Sequence, residues 1–179
     1  MKNKSREISY LLRHNPQDLK IDKEGWVSVN DLLDKLQISF NDIEYIVDNN
    51  DKKRFSFNTD KTLIRANQGH SKSLNINITY KKIKFPTYYY HGTALYNLQS
   101  ILNKGLISQS RSHVHLSKDE ETAYKVGMRH AKRERNLVIL KVDGLKMSLK
   151  GFDLFESDNN VILTDKVPKE FISVYKKFN

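Results

Sequence analysis

Arg54-Phe55-Ser56-Phe57-Asn58-Thr59-Asp60-Lys61-Thr62-Leu63-Ile64-Arg65 is the stretch on which the reading of the first half turns. Its ends alternate in polarity around a turn-forming Asn-Thr-Asp-Lys centre, the pattern of a β-hairpin. Upstream the periodicity is helical. Ile8, Leu11 and Leu12 share a face behind a candidate N-cap at Ser5, and Asn15-Pro16 stops that helix, because the residue before proline avoids helical backbone. Gly25-Trp26-Val27-Ser28-Val29 reads as a brief extended step. Asn30 is the expected cap of a second helix carrying Leu32, Leu33 and Leu36. Ser39 and Asp42 have capping-box spacing at the start of a third, with Ile43, Ile46 and Val47. Three helices followed by a hairpin is a winged-helix layout, assigned to residues 1–78.

The rest of the chain, 79–179, alternates strands and helices. Ile78–Tyr90 is rich in β-branched and aromatic residues. Leu95–Leu102 is an amphipathic helix ended by Gly105, and Glu120–Arg135 a second helix. Short strands are expected at His113–Leu116, Leu137–Val142, Phe152–Phe155, Asn160–Leu163 and Phe171–Val174. A mixed sheet with few helices places this half in the α+β class.

Composition narrows the partners. The 179 residues carry a net charge of +10, with +5 over residues 1–84 and +5 over 85–179, so neither end is a basic tail. A chain of that charge has polyanions as natural partners, RNA and DNA first. The absence of cysteine removes disulfides, thiol nucleophiles and cysteine-bound zinc. No apolar run approaches the roughly 20 residues of a membrane span, and no apolar stretch of signal-peptide length follows Met1-Lys2-Asn3-Lys4. A cytoplasmic protein without membrane attachment is expected.

Arginines and histidines cluster in five places: Arg13-His14, Arg65 to His70, His91-Gly92-Thr93, His113-Val114-His115-Leu116-Ser117, and Gly127-Met128-Arg129-His130. Guanidinium forks bind phosphate bidentately, and imidazole moves protons near neutral pH. Groups of both kinds in both halves could clamp a phosphorylated substrate between two lobes. Each cluster also has a plainer reading. Arg13-His14 at a helix C-terminus is commonly a dipole partner. His113 and His115 share a strand face, but no third ligand completes a zinc set. Glycine in His91-Gly92-Thr93 permits close ligand approach ahead of a helix N-terminus. Neither a Rossmann fingerprint nor a Walker loop is present, and no metal is expected.

Taken in order, Leu11-Leu12-Arg13-His14-Asn15-Pro16, Gly25-Trp26-Val27, Arg65-Ala66-Asn67-Gln68-Gly69-His70-Ser71, His91-Gly92-Thr93, Gly105-Leu106, His113-Val114-His115-Leu116-Ser117, Val126-Gly127-Met128-Arg129 and Val161-Ile162-Leu163-Thr164 closely resemble the RNA 2′-phosphotransferase family called KptA in bacteria. The resemblance spans about residues 5–175. It implies a winged-helix RNA-binding lobe over 1–78 and an ADP-ribosyltransferase-like NAD-binding lobe over 79–179. It also implies a reaction. An internal 2′-phosphate of a tRNA-like RNA attacks C1″ of NAD and expels nicotinamide. The 2″-hydroxyl then attacks phosphorus, releasing 2′-OH RNA and ADP-ribose 1″,2″-cyclic phosphate. By motif the phosphate is handled by Arg13, His14, Arg65 and Arg129. His91, Gly92, Thr93, His115 and Ser117 carry over as NAD contacts, with Arg111 and His113 as weaker candidates for the same pocket. His14 is the candidate proton donor to the departing RNA oxygen, and His70 a candidate brace for the segment holding Arg65. NAD is a co-substrate, and a monomer suffices.

The chain departs from the family pattern beside these positions. Ala131-Lys132-Arg133-Glu134-Arg135-Asn136 is longer and more charged than the family's link, Asn160 replaces a usual glycine, and Ile162 a common tryptophan. Val161 stands where protein ADP-ribosyltransferases carry Glu or Gln, a group that an already anionic nucleophile makes dispensable. Two other readings remain. One is an ADP-ribosyltransferase that stops after the first step, capping terminal phosphates of RNA or DNA or modifying a protein. The other is a winged-helix nucleic-acid-binding protein without catalysis.

Overall fold

A computed structural model describes residues 2–50 and 52–178, and these divide into two units. The first runs to Thr79 and takes in Ser110–Ser112. The second comprises Tyr80–Gln109 and the chain from His113 onward. Both are α+β, and every strand pairing among the described residues is antiparallel. No helix among the described residues is long and apolar enough to cross a membrane.

The first unit contains α1 (Lys2–Arg13), β1 (Trp26–Ser28), α2 (Val29–Leu36), α3 (Phe40–Asp48), β2 (Phe55–Phe57) and β3 (Leu63–Ala66). The predicted hairpin is present, with Ser56 opposite Arg65 and Phe57 opposite Ile64. β1 flanks the other edge of β3, placing Trp26 opposite Arg65. Helix starts differ by a few residues from the sequence expectation. α1 begins at Lys2, so Ser5 lies within it. The cap of α2 is Ser28, whose Oγ accepts the Asp31 N–H at 3.3 Å, and Asn30 is already helical. The Ser39–Asp42 capping box forms as expected. Ile8, Leu12, Leu32, Ile43 and Ile64 are fully buried in one core. Each such side chain contributes about 1.5–3 kcal/mol by leaving water. Because Ile8, Leu11 and Leu12 pin α1 into that core, the end of α1 is a fixed point. Ile64 and Ala66 face the core from β3, and strand alternation turns Arg65 to the opposite face.

The excursion of Ser110–Ser112 into the first unit was not anticipated from sequence. Backbone hydrogen bonds account for it. Lys72 N–H donates to the Ser110 carbonyl at 3.0 Å, Ser112 N–H to the His70 carbonyl at 3.3 Å, and Ser71 and Arg111 form an antiparallel bridge.

The second unit contains β4 (Lys81–Lys82), β5 (Tyr88–Ala94), α4 (Leu98–Lys104), β6 (Leu106–Ile107), β7 (Val114–Leu116), α5 (Glu120–Ala131), β8 (Leu137–Asp143), α6 (Gly144–Leu149), β9 (Phe155–Glu156), β10 (Ile162–Thr164), β11 (Lys166–Val167) and β12 (Ile172–Lys177). Strands lie in the orders β12-β8-β5, β4-β9-β10-β7 and β11-β6. The Tyr90–Ser117 bridge links β5 to the end of β7. β8 is buried almost throughout, as its apolar run predicts. α5 stops at Ala131 rather than Arg135, where Lys132 takes a φ of 61°. β10 starts only at Ile162, because Asn160, at φ 61°, closes a turn over Ser157. Helix α6, capped by Asp143, had no periodicity long enough to reveal it.

Candidate active site

The first unit gathers Arg13, His14, Arg65, His70 and Arg111 from three separate segments. Arg13 is the last residue of α1, and His14 follows it. The Arg13 carbonyl accepts the Ser71 N–H at 2.8 Å, and His14 Nδ1 lies 2.8 Å from Ser71 Oγ. Arg13 Nη2 lies 3.5 Å from the Arg54 carbonyl, where the chain enters β2. The Arg65 guanidinium sits 4.4 Å from the centroid of the Trp26 ring, its cross-strand neighbour. Arg111 was expected among NAD contacts of the second half. It lies instead in the first unit, bridged to Ser71.

Electrostatics tie the group together. Burial pushes the His70 pKa down to about 4, and the positive fields of Arg13, His14 and Arg65 add to the effect. His14, on the surface, is also held below the ordinary histidine value, by the partial desolvation of its ring and then by Arg111 and Arg13. At neutral pH both imidazoles are therefore uncharged beside fixed guanidinium groups. Such a concentration of positive charge suits an anion, whose arrival relieves the mutual repulsion.

His70 makes this testable through stability. Its Nε2 is buried with no hydrogen-bond partner and would lie 3.2 Å from a Cβ added at Gly25, so the ring is wedged against the Gly25 backbone. The unfolded chain takes up a proton here near pH 6.5, whereas the folded chain resists until about pH 4. The resulting stability is present above pH 6.5 and lost as the pH falls towards 4, on the order of 3 kcal/mol in all. Equilibrium unfolding of wild type and His70→Gln across this interval is expected to show a shallower pH slope in the variant.

In the second unit His91, Gly92 and Thr93 lie on β5 itself rather than after it. His91 donates through Nδ1–H to the His115 carbonyl at 3.1 Å, which leaves Nε2 for other contacts. Burial lowers the His91 pKa against the opposing effect of that carbonyl, and His130 lowers it further. Ser117 is joined to Tyr90 by two backbone hydrogen bonds, of 2.8 and 2.9 Å. The His91 ring is therefore tied to the backbone at His115, and the chain just beyond β7 is tied to β5 through Ser117 and Tyr90.

Packing requires glycine at position 92. A Cβ there would fall 1.9 Å from the Ala123 carbonyl oxygen and 3.0 Å from Gly127 Cα. The missing side chain admits helix α5. Thr93 is buried, its Oγ1 accepting from Asn97 Nδ2 at 3.1 Å, so it too supports the strand end. His113 stands apart, with Nε2 3.9 Å from Asp165 and the Tyr80 ring edge-on at 5.8 Å. Arg129 is exposed in the last turn of α5, on the side away from Ala123, Gly127 and Ala131.

Trp26, Ser71 and Gly127 were not singled out as site residues from sequence. Trp26 and Gly127 are supports whose value appears only once β1 pairs with β3 and α5 meets β5. A signal did exist for Ser71, which closes the Arg65–Ser71 motif, but nothing in that spacing shows it reaching His14.

Comparison with known proteins bears on this arrangement. The family model described as RNA 2′-phosphotransferase, Tpt1/KptA family, matches residues 1–166. A protein of Flavobacterium johnsoniae named "Probable RNA 2′-phosphotransferase" is 45% identical over 178 residues, covering 96% of this chain and 94% of its own length. One of the same name from Fusobacterium nucleatum is 44% identical over 174 residues, covering 93% and 94%. A third, from Pseudomonas fluorescens, is 43% identical over 176 residues, covering 94% and 93%. With a family model spanning nearly the whole chain, and relatives named for the same activity matched over more than nine-tenths of their length, the chain belongs to the RNA 2′-phosphotransferase, Tpt1/KptA, family of enzymes.

Proposed function

We propose that this enzyme transfers an internal RNA 2′-phosphate to NAD, giving 2′-OH RNA, nicotinamide and ADP-ribose 1″,2″-cyclic phosphate. The observation that carries this reading is the gathering of Arg13, His14 and Arg65 around the neutral His70 in the first unit. With its three helices and antiparallel hairpin sheet, that unit is read as the winged-helix RNA-binding lobe. The second is read as the ADP-ribosyltransferase-like lobe that holds NAD.

The residues present suit those substrates. His91, His115 and Ser117 offer polar groups on adjoining strands, and His91 Nε2 is left open by the bond at Nδ1. NAD supplies an anomeric carbon whose leaving group is nicotinamide. The protein's own part is orientation and charge. A phosphate dianion needs no base to act as a nucleophile, only a fixed approach, which Arg13 and Arg65 provide as forks. Charge then grows on the phosphorane oxygens in the second step, where Arg13, Arg65 and Arg129 stabilise it. His14, neutral at rest, takes up the proton that the attacking 2″-hydroxyl loses and delivers it to the departing RNA 2′-oxygen. Arg111, beside His14, is read as a further phosphate or RNA contact rather than part of an NAD pocket.

The test is product identity. Nicotinamide release that depends on a 2′-phosphorylated RNA, with cyclic phosphate appearing in equal amount, is the expected result. A stable ADP-ribosylated acceptor would assign the one-step reaction, and DNA binding without NAD turnover the non-catalytic one. Trp26 supplies a graded check. Its stacking on Arg65 is worth about 0.5–1 kcal/mol at a partly exposed site. Trp26→Leu is thus expected to raise KM for phosphorylated RNA by roughly two- to fivefold while leaving KM for NAD unchanged in steady-state assays. Finally, His14→Ala or one of the arginine variants is expected to accumulate the ADP-ribosylated RNA, since the two steps load the phosphate site differently. Gel analysis of single turnovers would reveal it.

A further inference from the structure

We propose that Ser71 is the positioning residue for His14, holding Nδ1 through its hydroxyl so that Nε2 is the edge presented to the substrate. The inference rests on the reading of His14 as proton donor and adds the device that makes a surface imidazole fit for it.

His14 has left the helix and is exposed, so its ring would otherwise sample several rotamers. Two contacts restrict it. Ser71 Oγ lies 2.8 Å from Nδ1, and the Tyr10 ring packs at 6.1 Å between centroids, tilted by 47°. Ser71 is itself held from both sides. Its N–H donates to the Arg13 carbonyl, its backbone bridges Arg111, and the flanking residues His70 and Lys72 are hydrogen-bonded to Ser112 and Ser110. The hydroxyl is therefore delivered to a fixed point by backbone that also fixes Arg13.

A hydroxyl suits this task better than a carboxylate or an amide. It donates to Nδ1 when the ring is neutral, and by rotating its hydrogen it accepts from Nδ1–H when the ring is charged. One contact thus serves both protonation states of a group that must gain and lose a proton. The charged and titratable groups around the ring are Arg13, Arg111 and His70, with Tyr10 on its face, and both arginines favour the neutral ring. A neutral partner at Nδ1 leaves that balance in place, whereas a carboxylate would bias it towards imidazolium.

The experiment compares Ser71→Ala, Ser71→Thr and Ser71→Asp with wild type in the 2′-phosphorylated-RNA assay at saturating NAD. It also places Ser71→Ala in a His14→Ala background. 15N-histidine NMR of the free proteins follows the His14 ring nitrogens. Ser71→Ala is expected to lower kcat about tenfold with KM for NAD unchanged. Ser71→Thr is expected to restore kcat, and Ser71→Asp to move the His14 titration and the pH–rate profile upward. The Nδ1 resonance should change in Ser71→Ala. In the His14→Ala background the serine change should have no further effect. An unaltered Nδ1 resonance, or an equal loss in both backgrounds, would overturn the role of Ser71. Full activity of His14→Ala alone would instead overturn the reading of His14 and leave the NMR result to judge the contact.

Discussion

Arg13→Ala is expected to lower turnover of 2′-phosphorylated RNA by at least about 10²-fold, the usual loss when one fixed donor to a developing oxyanion is removed. Arg13 occupies a position that α1 cannot easily surrender. Ile8, Leu11 and Leu12 bury the same helix, and the Arg13 carbonyl is tied to Ser71. Removing the side chain should therefore leave the fold and the neighbouring His14 in place, so the loss falls on chemistry. Arg13→Lys should recover only part of it, because an ammonium carries the charge without the planar fork. Single-turnover kinetics of the two variants, with circular dichroism to verify folding, gives the answer. Near-normal turnover in Arg13→Ala would remove Arg13 from the site.

Gly92→Ala is expected to be the most destabilising single methyl that the second unit can receive. The added carbon would lie 1.9 Å from the Ala123 carbonyl oxygen and 2.8 Å from the carbon of the same group. Both are helix backbone and have no rotamer by which to escape. Gly127 faces Gly92 in return, with its own Cβ position 2.8–2.9 Å from the Gly92 backbone. Helix α5 would have to lift from β5, opening the contact that seats Ala123, Gly127 and Ala131. Overpacking of this kind costs about 3 kcal/mol or more, which for a chain of this size lowers Tm by roughly 6–12 °C. Because α5 carries Arg129, the surviving folded fraction should also lose activity. An unchanged melting temperature would show that the helix and strand tolerate separation.

How much of this could be read from sequence differs between the units. In the first, polarity alternation around Asn58–Lys61 was enough to place the hairpin, and the Ser39–Asp42 spacing placed a helix start, because both signals are local. The Ser5 and Asn30 caps were misplaced because several polar residues near each start can end a helix, and tertiary packing chooses among them. In the second unit β8 was legible as an apolar run. The extents of β9 and β10 were not, since a left-handed Asn160 rather than a glycine makes the turn between them. Among candidate site residues, Arg13, His14 and Arg65 stand out by motif. The move of Arg111 to the first unit was not, because it follows from backbone pairing with Ser71, some forty residues away. Gly92 shows the limit in reverse. Its motif suggested ligand approach, but only the position of α5 reveals why a side chain is excluded.

The most direct measurement follows a radiolabelled internal 2′-phosphate in a short RNA incubated with the protein and NAD. The label is predicted to pass first onto an ADP-ribosylated RNA and then wholly into a small cyclic phosphate, leaving unlabelled 2′-OH RNA. Label that stays on RNA at the end of the reaction, with nicotinamide release complete and no cyclic phosphate formed, or its appearance as inorganic phosphate without NAD consumption, would contradict the proposed transfer.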